Sequence, residues 1–363
     1  MRKFLLIVAT IAVFFGVNTA FAEDGGEKNQ ANSSGLPKQD ARDPQRILNQ
    51  GNYQEIETGM NPVVIKGIRK DNGSGSGLSQ LGAGKLYAAA VDNSSIAYTV
   101  GSPVILTPKV YLIWYGSWLT PSWTLSNPAN LDYANFTNNL ITNLGSNDRW
   151  KNIIQNYYSR NATTKTYIQG LAKTENLFIK TNTSLYGSTL SQSSILKIVN
   201  NTYSSIDPNG IYIVLTSNDI KVNGFNTGKI QFCGWHSFTG SGTNARKYAF
   251  VGDPANATYC QGQAAPTPNG NVGADSMASI LIHEIEEAVT DPLLNAWWSS
   301  TTTGNENADK CAWSWGTTTG TSTISNYSWA STNYLIQQEF KLGTKSNTST
   351  TTKDIFSGAC ALS

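Results

Sequence analysis

One segment constrains this chain more than any other: Asp275-Ser276-Met277-Ala278-Ser279-Ile280-Leu281-Ile282-His283-Glu284-Ile285-Glu286-Glu287-Ala288-Val289-Thr290-Asp291-Pro292. Its apolar residues recur at three- and four-residue steps, Asp275 or Ser276 can cap its start, and Pro292 forces it to stop. The spacing therefore predicts a helix with His283 about two turns in. On such a helix His283 and Glu287 share a face, because side chains four apart stack one turn above another.

The pattern formed is H-E-x-x-E. In zinc hydrolases written H-E-x-x-H, two imidazoles hold the metal and the intervening Glu is the general base toward the attacking water. Here Glu287 stands where the second imidazole would be, an allowed swap because carboxylate oxygen binds zinc at about the same distance as imidazole nitrogen. The same letters also describe an ordinary amphipathic helix that packs Ile282, Ile285 and Val289 and turns its carboxylates to water. Against that bland reading, the chain has only two histidines, and Glu284, Glu287, Glu306 and Asp309 crowd together in a protein of only 14% charged residues.

Downstream lies Gly304-Asn305-Glu306-Asn307-Ala308-Asp309-Lys310-Cys311. It resembles the gluzincin arrangement, in which a downstream acidic helix gives a third ligand and a further carboxylate that orients a ligand imidazole. By that resemblance Glu306 is the third ligand, and Asp309 orients His283 through its other ring nitrogen. Asp291, eight residues after His283, is a rival ligand at the helix end. The other histidine lies in Gln231-Phe232-Cys233-Gly234-Trp235-His236-Ser237. His236 is either a hydrogen-bonded structural residue or a ligand or proton carrier from outside the helix.

Residues 1–22 read as a signal peptide: Arg2 and Lys3, an apolar run from Phe4 to Val17, then Ala20-Phe21-Ala22. Its removal takes Lys plus Arg from 26 to 24, against 24 Asp plus Glu, leaving a formally neutral chain. Nucleic acid and anionic membranes are poor partners for it, since both select concentrated Lys and Arg, and no second run is apolar enough to span a bilayer. Four cysteines, at 233, 260, 311 and 360, suit a disulfide-permitting compartment, secreted or periplasmic. Sequence proximity favours Cys233 with Cys260 and Cys311 with Cys360.

Residues 23–84 are polar and rich in Gly, Asn, Gln and Ser, a composition that cannot bury enough apolar surface to fold alone. They read as a flexible leader or pro-segment, with a short strand within 61–68, ahead of one large domain spanning 85–363. In that domain 96–100 and 104–116 are apolar runs, the second half of the latter reading as a central strand; 210–216 and 248–252 read as further strands, and 131–144, 150–158 and 191–203 as helices. The expected architecture is α+β, zincin-like, with a central mixed sheet packed by helices and stapled by disulfides. The Tyr248–Gly252 strand is the expected edge for docking an extended substrate. Trp297, Trp298, Trp313 and Trp315 are expected to pack rather than to stack on sugars.

Several segments together resemble the EXORDIUM, or phosphate-induced protein, family: Val110 to Gly116 (VYLIWYG), Tyr212 to Asp219 (YIVLTSND), Phe232 to Ser237 (FCGWHS), Tyr248 to Pro254 (YAFVGDP) and Asn269 to Met277 (NGNVGADSM). The resemblance implies a secreted protein; plant members are cell-wall associated and linked to growth signalling, and no settled reaction comes with the family. Plant members lack H-E-x-x-E after the last of these segments, so the metal reading belongs to this chain's own residues.

The expectation is thus a secreted zinc-dependent hydrolase acting on peptides, with His283, Glu287 and Glu306 as ligands and Glu284 as base. Calcium suits the carboxylates, but a histidine ligand favours zinc. The alternative is a non-catalytic extracellular protein that binds wall polymer or a surface partner, with a structural metal or none.

Overall fold

The computed structural model describes residues 63–65, 86, 88–118, 133–179, 186–226, 232–299 and 305–363. In chain order the principal strands are β1 (Val63–Ile65), β2 (Ile96–Thr99), β3 (Lys109–Tyr115), β4 (Ala172–Ile179), β5 (Gly210–Thr216), β6 (Gly234–Thr239), β7 (Arg246–Gly252), β8 (Trp297–Ser299), β9 (Glu339–Lys345) and β10 (Lys353–Ala361). The helices are α1 (Tyr133–Leu144), α2 (Asp148–Asn152), α3 (Gln192–Thr202) and α4 (Val272–Thr290).

The larger sheet runs β1-β6-β7-β5-β3-β4. Strands β4, β3, β5 and β7 are parallel, whereas β6 is antiparallel to β7 and β1 is antiparallel to β6. Parallel strands covered on both faces read as continuous apolar runs, and β5 and β7 are buried at every position. This explains why 210–216 and 248–252 were visible as strands. The second sheet, β8-β2-β10-β9, is antiparallel throughout, and it takes the 96–100 run away from the main sheet.

Three expectations are corrected. The 3- and 4-residue spacing over 150–158 marks real core positions, with Trp150, Ile153, Ile154 and Tyr157 fully buried. The helix α2 nevertheless stops at Asn152 and gives way to one 3₁₀ turn and a short strand from Tyr158, since consecutive Ile153 and Ile154 are β-branched and hold a helix poorly. Tyr248–Gly252 is no edge: β7 lies between β6 and β5, so its ladder groups are taken on both sides. Finally, α4 begins earlier than Asp275 predicted. Asn271 is its cap, accepting from the Ala274 N–H, and His283 is the twelfth of 19 helical residues.

Both expected disulfides are present, Cys233–Cys260 and Cys311–Cys360. Residues 63–65 pair with β6 from within the 23–84 segment, at the position where a short strand was expected. Among the described residues no helix is long and apolar enough to cross a membrane. The four tryptophans after the motif are all buried, as packing requires.

Candidate metal centre

Helix α4 is buried along its whole length from Gly273 to Thr290, which makes it a central element and not a surface helix. It lies against β6 and β7. Close approach to β6 depends on Gly234, where an added Cβ would fall 2.7 Å from Glu284 Oε1 and 2.8 Å from Ile280 Cγ2. The missing side chain therefore lets a helix carboxylate sit directly against the strand that carries His236. Composition alone flags Gly234 only as a glycine next to a cysteine.

The three glutamates near the C-terminal end of α4, Glu284, Glu286 and Glu287, divide by direction. Glu286 turns away from the histidines and is clamped by Arg149, whose Nε donates to Oε1 at 2.8 Å and whose Nη2 donates to Oε2. Glu339 lies 3.5 Å from the same guanidinium, and burial together with the Glu286 charge pushes its carboxyl well above the ordinary range. Glu284 and Glu287 face the other way, toward the two imidazoles.

Those imidazoles and carboxylates form two groups. In the first, His236 Nδ1 lies 3.4 Å from Glu284 Oε2 and 3.6 Å from Glu287 Oε2, and His236 Nε2 lies 3.7 Å from Glu306 Oε2. In the second, His283 Nε2 lies 3.0 Å from Glu287 Oε1 and 3.5 Å from Asp309 Oδ1. The donor atoms of His236, Glu287 and Glu306 are mutually within 4.8 Å, as are those of His283, Glu287 and Asp309. His283 and Glu306, expected in one ligand set, thus fall in different groups. Asp309 meets the same ring nitrogen of His283 that Glu287 meets, and its backbone N–H donates to Glu287 Oε1 at 2.9 Å.

Asp291 is the C-cap of α4 and accepts the backbone N–H groups of Asn295 and Ala296 through Oδ1, which shapes the turn into β8. Lys310, the nearest lysine in sequence, is directed to Asp92 at 3.2 Å and to Ser94. It does not neutralise the cluster. Asn307 Oδ1 accepts from Thr290 Oγ1, tying the Glu306 segment to the end of α4.

Glu284, Glu287 and Glu306 are 0% exposed and His236 and His283 only 1–2%. Both oxygens of Glu306, Oε2 of Glu287 and Nε2 of His236 make no hydrogen bond among the described residues. Buried carboxylates without partners are costly, so such a group either takes a proton or binds a cation. Burial and the neighbouring Asp309 carboxylate push Glu287 up to about 7. Burial and the charges of Glu287 and Asp291 hold Glu306 well above its usual range. Burial and the nearby His283 pull His236 down to about 3, which keeps that imidazole neutral and able to ligate. His283 moves the other way: burial opposes its charge, but Glu287, Asp309 and Glu284 outweigh it.

Each disulfide adjoins one ligand-bearing segment. Cys233 immediately precedes Gly234 and the strand of His236, and Cys311 follows Asp309 by two residues and ties that loop to β10.

The fold and this cluster together define a disulfide-stapled α+β protein with a buried histidine–carboxylate centre. Residues 96–333 match the family model described as the phosphate-induced protein 1 conserved region, and the chain belongs to that family. It is 26% identical over 285 residues to Protein EXORDIUM-like 3 of Arabidopsis thaliana, covering 70% of this chain and 80% of that relative. Over 259 residues it is also 26% identical to Protein EXORDIUM-like 5 of the same plant, covering 64% of this chain and 68% of the relative. No solved structure gives a significant match.

Proposed function

We propose that this protein is an extracellular metalloenzyme of the phosphate-induced family, a hydrolase of peptide-like substrates whose cation is held by His236, Glu287 and Glu306. The observation that carries the metal is Glu306: a fully buried carboxylate, with no hydrogen bond to either oxygen among the described residues, facing an imidazole and a second carboxylate. Two nearby imidazoles favour zinc or a similar transition ion over calcium. With Nε2 of His236 toward the cation beside Glu306, Nδ1 has Glu284 available for its N–H, the usual way a ligand imidazole is oriented.

A divalent ion at this place supplies Lewis-acid polarisation of a carbonyl and lowers the pKa of water. Glu284, within the H-E-x-x-E helix and 3.4 Å from His236, is the proton acceptor for the attacking water. The antiparallel strand β6 beside the motif helix supports a zincin-like reading of the site, by analogy of arrangement. The two disulfides and the EXORDIUM-like relatives support an extracellular location.

A second reading has one specific observation in its favour. The ligand groups are shut away from solvent and His236 joins them, as in a closed structural site with no open coordination position. Glu284→Gln separates the two. The hydrolase reading expects peptide turnover by wild type, lost by orders of magnitude in the variant, with metal content unchanged. Absence of turnover in a metal-loaded wild type overturns it in favour of the closed centre.

A further inference from the structure

Glu287 belongs to both groups, and it does so with different atoms. Its Oε2 faces His236, while its Oε1 lies 3.0 Å from His283 Nε2, next to Asp309 Oδ1. A carboxylate whose two oxygens point at two donor sets is the geometry of a bridging ligand, and two-metal hydrolytic sites hold their ions about 3.5–4 Å apart. We propose a dinuclear centre in which Glu287 bridges one divalent cation held by His236 and Glu306 to a second held by His283 and Asp309. This rests on the metal reading of the first group and adds a site to it.

Two further observations agree. The imidazole of His283 is almost wholly buried, and neither ring nitrogen makes a hydrogen bond of proper geometry, although Nε2 lies 3.0 Å from Glu287 Oε1. Two donor atoms 3.0 Å apart, with Asp309 Oδ1 beside them, suit a shared ion. The backbone N–H of Asp309 takes one lone pair of Glu287 Oε1 and leaves another for a cation, so it fixes the bridge instead of blocking it.

The alternative for the second group is a protonated His283 held as an ion pair between Glu287 and Asp309. Zinc stoichiometry decides between them. Purified wild-type protein is saturated with zinc at neutral pH, desalted, and analysed for zinc per chain beside Asp309→Asn, Glu306→Gln and Glu287→Gln, with circular dichroism confirming that each is folded. The dinuclear centre expects about two zinc ions in wild type, about one in each of the first two variants and less than one in the third. X-ray absorption on the wild type should show a metal–metal vector near 3.5–4 Å, which needs no variant. One zinc in wild type, retained by Asp309→Asn and lost by Glu306→Gln, overturns the second site and leaves the first intact. No zinc in wild type overturns both.

Discussion

Glu284 Oε1 occupies the space that a Cβ on Gly234 would need, 2.7 Å away. Helix and strand therefore meet only because position 234 has no side chain. Gly234→Ala must push the helix off β6 or displace both Glu284 and Ile280, an overpacking cost of about 1–3 kcal/mol. A lowered thermal midpoint together with weakened metal binding is expected. An unchanged midpoint would mean that the contact is not tight in solution.

Arg149 and Glu286 form a buried bidentate pair on the opposite side of α4. Removing one partner strands the other charge, so Arg149→Met should cost about 3–5 kcal/mol in chemical denaturation. Adding Glu286→Gln to that variant should restore part of the loss. A double variant no more stable than the single one would show that the pair acts through packing and not through charge.

Asp354 supplies a pH signature remote from the histidines. Burial disfavours its charge, but hydrogen bonds from Lys345 and Tyr158 and the Arg160 guanidinium prevail and hold its carboxyl below the ordinary range. A carboxyl depressed on folding stabilises above its unfolded pKa of about 3.9 and stops doing so as pH falls through the lower folded value. Wild type should therefore exceed Asp354→Asn in thermal midpoint near pH 6, and the gap should close as pH drops below about 4. A gap that persists at pH 3 would assign the difference to hydrogen bonding alone.

The Cys311–Cys360 bridge closes a loop with a sequence separation of 49. By chain entropy such a crosslink is worth about 4 kcal/mol. Cys311→Ala/Cys360→Ala should unfold at correspondingly lower denaturant. It should also hold its metal less tightly, since the bridge anchors the Asp309 loop. Equal metal affinity in the folded variant would detach the loop anchor from the site.

Much of this was legible in residues. Buried parallel strands announce themselves as unbroken apolar runs, so β5, β7 and the end of β3 were readable, and sequence proximity paired all four cysteines as they are found. The H-E-x-x-E helix and the Glu306 and Asp309 segment lie together, but Glu306 faces His236 and not His283, and Asp309 faces the ring nitrogen that Glu287 also faces. What failed depended on long-range pairing. The second sheet joins residues from both ends of the described domain, and its strands β9 and β10 flank a Ser- and Thr-rich loop and show little apolar pattern. The edge-strand assignment failed because strand order is not written in local periodicity. His236 was visible as a histidine, but its place opposite Glu287 and Glu306 follows from the antiparallel turn-back of β6 onto β7. Spacing within one helix put Glu287 in a ligand set without revealing that its two oxygens face different neighbours.

Zinc retention by the purified protein tests the central claim most directly. Wild type loaded with zinc at pH 7 and desalted should keep it and gain several degrees in thermal midpoint, which a chelator should reverse, because a ligand bound only by the native state stabilises that state. Glu306→Gln should keep less zinc and show a smaller gain. A wild-type chain that retains no zinc, and whose midpoint responds neither to zinc nor to chelator, would contradict a metal centre at His236, Glu287 and Glu306.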